Sequence, residues 1–266
     1  MTYSDTEKND LIRVAGLMAD AARIETLAYF RKTELQLENK LDDGFDPVTV
    51  ADRAAELAMR KVLEDERPQD AVFGEEYGEK PGTSGLQWVL DPIDGTRGYM
   101  SGTPTWGTLI AVSDDRGPIF GVIDQPYIGE RFSGGWGTAA MQGPHGAGSI
   151  RTRDASVLTE ATLFTTFPEV GTPDDRAGFE RVAANVRLVR YGMDCYAYAL
   201  LAAGQIDLVI EAGLNSYDIQ APIAVIQAAG GIVTDWEGGP VHEGGRAVAA
   251  ANPEIHSQAL KLLQAG

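Results

Sequence analysis

Residues 88–112 read WVLDPIDGTRGYMSGTPTWGTLIAV. Trp88, Val89 and Leu90 run straight into Asp91 and Asp94, which flank Pro92 and Ile93. Gly95 and Thr96 follow. A short apolar run bounded by Pro and Gly reads as a buried strand, so LQWVLD is expected to be one and TWGTLIAV the next. Between them stand two carboxylates three residues apart. Asp, Pro and Gly dominate turns, so an acidic turn is one reading of DPIDG. A ligand site is the other, because Pro92 stiffens the backbone and Gly95 lets it approach a bound group.

Outward from this stretch the chain alternates pattern. Residues 7–37 repeat apolar side chains at helical spacing, among them Leu11, Val14, Ala15, Met18 and Ala22. A second helix is expected over 51–65, before Pro68, after a loop NKLDDGFDPVTVAD. AVFGEEYGE is a short strand ending in acid. Downstream, TWGTLIAV, PIFGVIDQP and RFSGGWGTAAMQG are expected strands, joined by SDDRG and YIGE as an antiparallel meander. Residues 1–150 thus read as two helices on a largely antiparallel sheet.

Residues 151–266 alternate strand and helix: ATLFTTFP strand, AGFERVAANV helix, VRLVRYG strand, DCYAYALLAAG helix ended by Gly204, and IDLVIEAG strand. DIQAPIAVIQAAGG is a helix, GIVTDWEG and AVAAANPEI are strands, and the tail is a last helix. The expectation is a layered α/β fold, the two halves sharing one stack.

Composition bounds the function. The chain has 266 residues, 44% hydrophobic and 23% charged, an ordinary globular balance with 22 Lys and Arg against 39 Asp and Glu. A net charge of −17 argues against nucleic-acid backbones or anionic membranes as main partners. It is compatible with a cationic substrate or bound divalent metal, and equally with plain solubility. The one cysteine, Cys195, excludes an internal disulfide and sits in an apolar helical pattern as a packed thiol. The polar N-terminus has no leader pattern, and no apolar run nears the roughly 20 residues of a membrane span. A soluble cytoplasmic protein is expected.

The acidic residues fall where ligands gather in α/β folds, at strand ends and helix starts. Glu75 and Glu76 follow AVFG, Asp91 and Asp94 follow WVL, and Glu211 follows DLVI. Asp218 and Asp52 open helices. Converging carboxylates repel one another unless cations neutralise them. With no histidine or cysteine beside them, the donors are oxygen alone, which suits Mg²⁺ or Ca²⁺ rather than zinc. The spacing of an EF-hand loop is absent. The local alternatives are turn chemistry for Asp91 and Asp94, helix N-caps for Asp52 and Asp218, and solvated loop positions for Glu75 and Glu76.

Four segments in a fixed order carry a resemblance. WVLDPIDGTRGYMSGTPTWGTLIAV resembles the signature of the inositol monophosphatase-like, Mg²⁺-dependent phosphatases. YDIQAPIAVIQAAGG resembles the second family signature, GEEYG the glutamate element and DPVTVADRAAE the Thr-x-x-Asp element. Together they span residues 40–240. The resemblance implies an alternating α-β-α-β-α sandwich, commonly a homodimer, with two or three Mg²⁺ per site. It implies metal ligands at Glu75, Asp91, the Ile93 carbonyl, Asp94 and Asp218, and a phosphate cradle at Gly95 and Thr96. It makes Asp52, with Thr96, the group that orients a water, and gives Glu75 a part in that. Glu211 matches a contact to the alcohol part of the substrate.

FDPVTVADRAAE, RYGMDCYAYALLAAGQIDLVIE and SYDIQAP look most like the histidinol-phosphatase branch, with a phosphate monoester as substrate. There Asp194 and Glu211 would pair with the amino group and imidazolium of histidinol phosphate, and Arg97 would face the substrate. Two differences from the inositol enzymes and one departure from the expected pattern stand out. Tyr217-Asp218 and Gly98-Tyr99 replace the Trp-Asp and Asn-Phe usual in inositol enzymes, and Met193 stands where glycine is expected. The alternatives are the same chemistry on inositol phosphate, a sugar bisphosphate or a 3′-phosphonucleotide, or a metal-binding protein without activity. A bisphosphate needs extra cations, and Arg97 and Arg190 are the only candidates nearby. His145, His242 and His256 match no motif, so no phosphohistidine route is expected.

Overall fold

The computed structural model describes residues 3–32, 37–39, 47–154 and 157–265. The first helix, α1 (Asp5–Tyr29), starts at a capping box: Ser4 Oγ accepts the Glu7 N–H at 3.3 Å, and Glu7 Oε2 accepts the Ser4 N–H at 2.8 Å. Its buried face holds Leu11, Val14, Ala15, Met18 and Ala22, the set read from the spacing. The helix stops at Tyr29 rather than running to 37. Phe30 leaves helical backbone (ψ 128°) and buries its ring against Tyr99 and Trp106, both with centroids 5.2 Å away. Packing of that ring takes Phe30 out of the helix, and residues 33–36 of the expected helix lie outside the described residues.

A small hairpin pairs β1 (Leu37–Asn39) with β2 (Pro47–Thr49), antiparallel. Part of the loop expected over 39–52 is therefore strand, and its residues 40–46 lie outside the described residues. Next come α2 (Val50–Glu66), β3 (Ala71–Gly74), β4 (Gly78–Lys80), β5 (Gln87–Asp94), α3 (Thr96–Ser101), β6 (Gly107–Asp114) and β7 (Gly117–Gln125). RFSGGWGTAAMQG is not one strand but a hairpin of β8 (Glu130–Gly135) and β9 (Thr138–Gly143). Trp136 (φ 50°) and Gly137 (φ 80°) both take the left-handed backbone that a tight two-residue turn demands. β10 (Gly146–Ser149) closes this half. Eight strands form one sheet in the order β10-β9-β8-β7-β6-β5-β3-β4, antiparallel except for β3 beside β5.

The second sheet holds β11 (Thr162–Thr165), β12 (Leu188–Tyr191), β13 (Leu208–Asn215), β14 (Ile232–Thr234) and β15 (Gly244–Ala250), in the order β12-β11-β13-β15-β14. Its helices are α4 (Pro173–Ala183), α5 (Cys195–Ala202), α6 (Ser216–Ala228) and α7 (Pro253–Leu263). The strand expected over AVAAANPEI ends at Ala250. Asn252 caps α7 by accepting the Ile255 N–H at 3.0 Å, and Pro253 takes the first helical position, where its missing N–H costs nothing.

Five layers result. The helices α1 and α2 pack on the outer face of the large sheet through Met18, Met59, Leu63 and Trp88. The helices α5 and α6 lie between the sheets, in a core joining Val89, Leu109 and Ile123 to Val209, Ala247 and Ala249. The helices α4 and α7 cover the far side with Phe179, Trp236 and Ile255. This is the α-β-α-β-α arrangement expected. A charge knot pins the first layer: buried Asp124 on β7 meets Arg23 of α1 at 2.7 Å and Arg131 of β8 at 2.6 Å. Among the described residues no helix is long and apolar enough to cross a membrane.

Candidate active site: a carboxylate cluster at a strand bulge

The strand does not end where the acids begin. β5 runs through Asp94, so DPID is neither a plain turn nor a loop. In regular strand, residues three apart point to opposite faces. Here the pairing with β6 steps from Asp91↔Leu109 to Asp94↔Gly107, three residues against two. The extra residue is a β-bulge, and it returns Asp94 to the side of Asp91. Pro92 is tolerated because the bulge needs no ladder N–H from it. Thr108 Oγ1 donates to the Pro92 carbonyl at 2.8 Å and fixes the kink.

Asp218 joins the pair from α6. It stands in that helix's first turn, not at the N-cap, and its Oδ2 accepts the Asn215 N–H at 2.6 Å. Carboxylate oxygens of Asp91, Asp94 and Asp218 lie within 4.8 Å of one another. Glu75, at the end of β3, hydrogen-bonds Asp91 through its carboxyl group. Its N–H donates to the Leu90 carbonyl at 3.1 Å, which carries the β3–β5 pairing up to the cluster. Burial and then mutual repulsion hold the Asp91 and Asp94 carboxyls well above the usual range, and burial pushes Asp218 up to about 7. Among the described residues, Asp91 Oδ1 is buried with no hydrogen-bond partner. An orphaned buried oxygen among repelling carboxylates is what a hard divalent cation would satisfy, and the all-oxygen donor set fits one.

Gly95 turns the chain from β5 into α3 with φ 87°, which only glycine adopts freely. A Cβ there would also stand 2.7 Å from Asp194 Cγ. Thr96 opens α3, and its Oγ1 donates to the Ile93 carbonyl at 3.2 Å. That carbonyl, expected to meet a metal, keeps a second lone pair. Asp94 Oδ2 accepts the Cys195 N–H at 2.5 Å, locking the cluster to α5. Cys195 itself is buried, as expected of a packed thiol.

A cavity of about 260 Å³ opens beside these residues. Asp94, Gly95, Thr96, Arg97, Asp194, Tyr198, Glu211 and Asp218 all line it. Asp194 sits at the N-cap of α5 in strained backbone (φ 46°), with Thr105 Oγ1 donating to it at 3.3 Å. Its side chain does not cap the helix; burial raises its pKa, while Thr105 and the charge of Arg97 pull the other way. The Arg97 guanidinium lies 4.8 Å from the centre of the Phe167 ring. Glu211 is tied to the end of β11, accepting the Thr166 N–H at 2.7 Å and the hydroxyls of Thr166 and Thr165 at 2.9 and 3.2 Å. Burial still pushes it up to about 7.

Asp52 does not line the cavity. It is the third residue of α2, so it is no N-cap, and it is buried near Tyr99 of α3, whose phenol is pushed up by burial first and by the charge of Asp52 second. Glu76 is not solvated either: its side chain is 3% exposed and lies 4.0 Å from Arg53.

The sequence reading passed over Glu56. It is fully buried on α2 and accepts the N–H groups of Glu76 and Tyr77 at 2.7 and 3.2 Å. Arg60 clamps it at 2.7 Å and also donates to the Gly78 carbonyl at 2.5 Å. A Cβ on Gly74 would fall 2.1 Å from Glu56 Oε1, so the turn bearing Glu75 is pressed onto this carboxylate. The signal was present: Glu56 shares the helical stripe of Asp52, Ala55, Met59 and Leu63, and an acid in an apolar stripe needs a partner. Tyr198 and Phe167 gave no such signal, since aromatics in an apolar helix or after a strand are ordinary core.

Residues 8–266 match the sequence model of the inositol monophosphatase family. A protein described as bifunctional phosphatase IMPL2, chloroplastic, of Arabidopsis thaliana is 40% identical, over 98% of this chain and 77% of its own. The histidinol-phosphatase of Mycobacterium tuberculosis is 35% identical, over 97% and 99%. A solved inositol monophosphatase from Zymomonas mobilis superposes with a TM-score of 0.84 at 35% identity, covering 98% of this chain and 100% of that one.

Proposed function

The chain belongs to the inositol monophosphatase family, metal-dependent phosphatases acting on phosphate monoesters, and from that membership we propose that it hydrolyses L-histidinol phosphate to L-histidinol and phosphate. The observation that carries the choice of substrate is that two further carboxylates, Asp194 and Glu211, line the cavity. Asp194 and Glu211 line the same cavity as Asp94 and Asp218, and in this reading they are the groups that meet the alcohol half of a bound ester. Among the described residues one cation, Arg97, lines the cavity with them. Such a pair favours an ester whose alcohol is cationic, and a cation entering there draws Glu211 toward its ionised form. The histidinol-phosphatase relative supports the same choice.

The proposed roles are those that family membership implies for these residues. Asp91, Asp94, Asp218 and the Ile93 carbonyl, with Glu75, hold Mg²⁺, two or three ions in all. Bound there, the ions neutralise the phosphate dianion and make a nearby water more acidic. Gly95 and Thr96 present backbone N–H groups to the phosphate. Glu75, and Asp52 acting through Thr96, orient the attacking water in line with the P–O bond that breaks. The alcohol leaves with a proton and inorganic phosphate remains. Positioning and charge neutralisation supply the rate enhancement, as phosphoryl transfer requires.

The second reading is inositol 1-phosphate as substrate, favoured by the Zymomonas mobilis enzyme's description and overlap. Phosphate release from both esters, measured side by side in Mg²⁺, tests the choice. Faster turnover of the histidinol ester supports the first reading and faster turnover of the inositol ester the second.

A further inference from the structure

Helix α5 brings three residues to the cavity: Asp194, Cys195 and, one turn on, Tyr198. The first two are engaged. Asp194 accepts from Thr105, and Cys195 gives its N–H to Asp94 while its Sγ lies 3.5 Å from Gln125 Nε2. Tyr198 differs. It is 4% exposed in the core between the sheets and lines the cavity, and among the described residues its buried hydroxyl has no hydrogen-bond partner. Glu211, Asp94 and Asp218 are near enough to act on it by charge, yet none accepts its O–H.

Buried hydroxyls are nearly always paired, because the lost water bonds must be replaced. An unpaired one on the wall of a binding cavity is satisfied when the ligand brings the partner. We propose that Tyr198 is a specificity residue whose hydroxyl hydrogen-bonds a polar atom on the alcohol half of the substrate, beside Glu211. This rests on the reading above, in which the alcohol half meets Asp194 and Glu211. Glu211 supplies charge there. The phenol supplies direction, since a hydroxyl both donates and accepts and so suits a ring nitrogen in either protonation state. An ester with a purely hydrocarbon alcohol leaves Tyr198 as unpaired as in the free protein and gains nothing from it.

The test is Tyr198→Phe, which keeps the ring and removes one oxygen. KM and kcat are measured for L-histidinol phosphate and for phenyl phosphate, which has no polar atom on its alcohol half. KM for the histidinol ester should rise about tenfold with kcat held within about twofold, and neither constant for phenyl phosphate should move, the pattern of a lost ground-state hydrogen bond. Equal losses on both esters, or a lowered melting temperature, overturn the proposal in favour of a packing role. No change on either ester overturns it too, because the hydroxyl then touches nothing. If the wild-type protein prefers another ester, the substrate reading fails by itself. The Tyr198 comparison is then made on that ester against phenyl phosphate, with the same criteria.

Discussion

Asp94 holds two things together. One oxygen accepts the Cys195 N–H, and the carboxylate completes a cluster with Asp91 and Asp218. Asp94→Asn keeps the shape and an acceptor for Cys195 but removes the charge. Phosphate release should fall at least about a hundredfold, the scale of losing one electrostatic group at a transition state. The melting temperature should hold or rise, because one repelling charge is gone. Near wild-type release from well-folded protein would remove Asp94 from the metal set. At this scale the sequence was informative about which residues converge. Asp91, Asp94, Asp218 and Glu75 come together as expected, and Asp194, Glu211 and Arg97 share the adjoining cavity. The device that joins Asp91 to Asp94 was hidden. A bulge is a property of pairing between β5 and β6, and no local pattern distinguishes it from an acidic turn.

The element that places Glu75 is the turn between β3 and β4, and it is braced from below by Glu56 on α2. Glu56→Gln sets an amide N–H₂ or a weaker acceptor against two backbone donors and loosens the clamp from Arg60. The Mg²⁺ concentration for half-maximal activity should rise about tenfold, within the range for partners one step removed from a metal, while the circular dichroism spectrum stays native. An unchanged Mg²⁺ curve would show that the turn holds Glu75 without this brace. Element boundaries were less legible than element types. α1 was overrun because Phe30 is drawn out of the helix by aromatic rings far along the chain. The strand over AVAAANPEI was overrun where Asn252 and Pro253 restart a helix. RFSGGWGTAAMQG was joined because Trp136 masked a turn that its backbone nevertheless makes.

Across the whole molecule the net charge of −17 meets a buried acidic site, and the two combine in a pH dependence. Asp218 and Glu211 are pushed up to about 7 by burial, from ordinary values of 3.8 and 4.5. Between about pH 4 and pH 7 the folded chain therefore keeps protons that the unfolded chain has released, and metal-free stability falls as pH rises through that window. A divalent cation bound at the cluster would take over from the protons. The gain in melting temperature on adding Mg²⁺ should be larger at pH 8 than at pH 5, read from melts with and without chelator. Equal gains at both would contradict a proton-for-metal exchange. The proposed preference for a cationic alcohol rests on Asp194 and Glu211, which line the cavity beside Asp94 and Asp218. The direct measurement is kcat/KM in Mg²⁺ for L-histidinol phosphate beside inositol 1-phosphate, fructose 1,6-bisphosphate and 3′-phosphoadenosine phosphate. The account predicts that the histidinol ester leads by at least about tenfold, the margin a paired charge in a pocket supplies. A clear lead for any of the other three would contradict it.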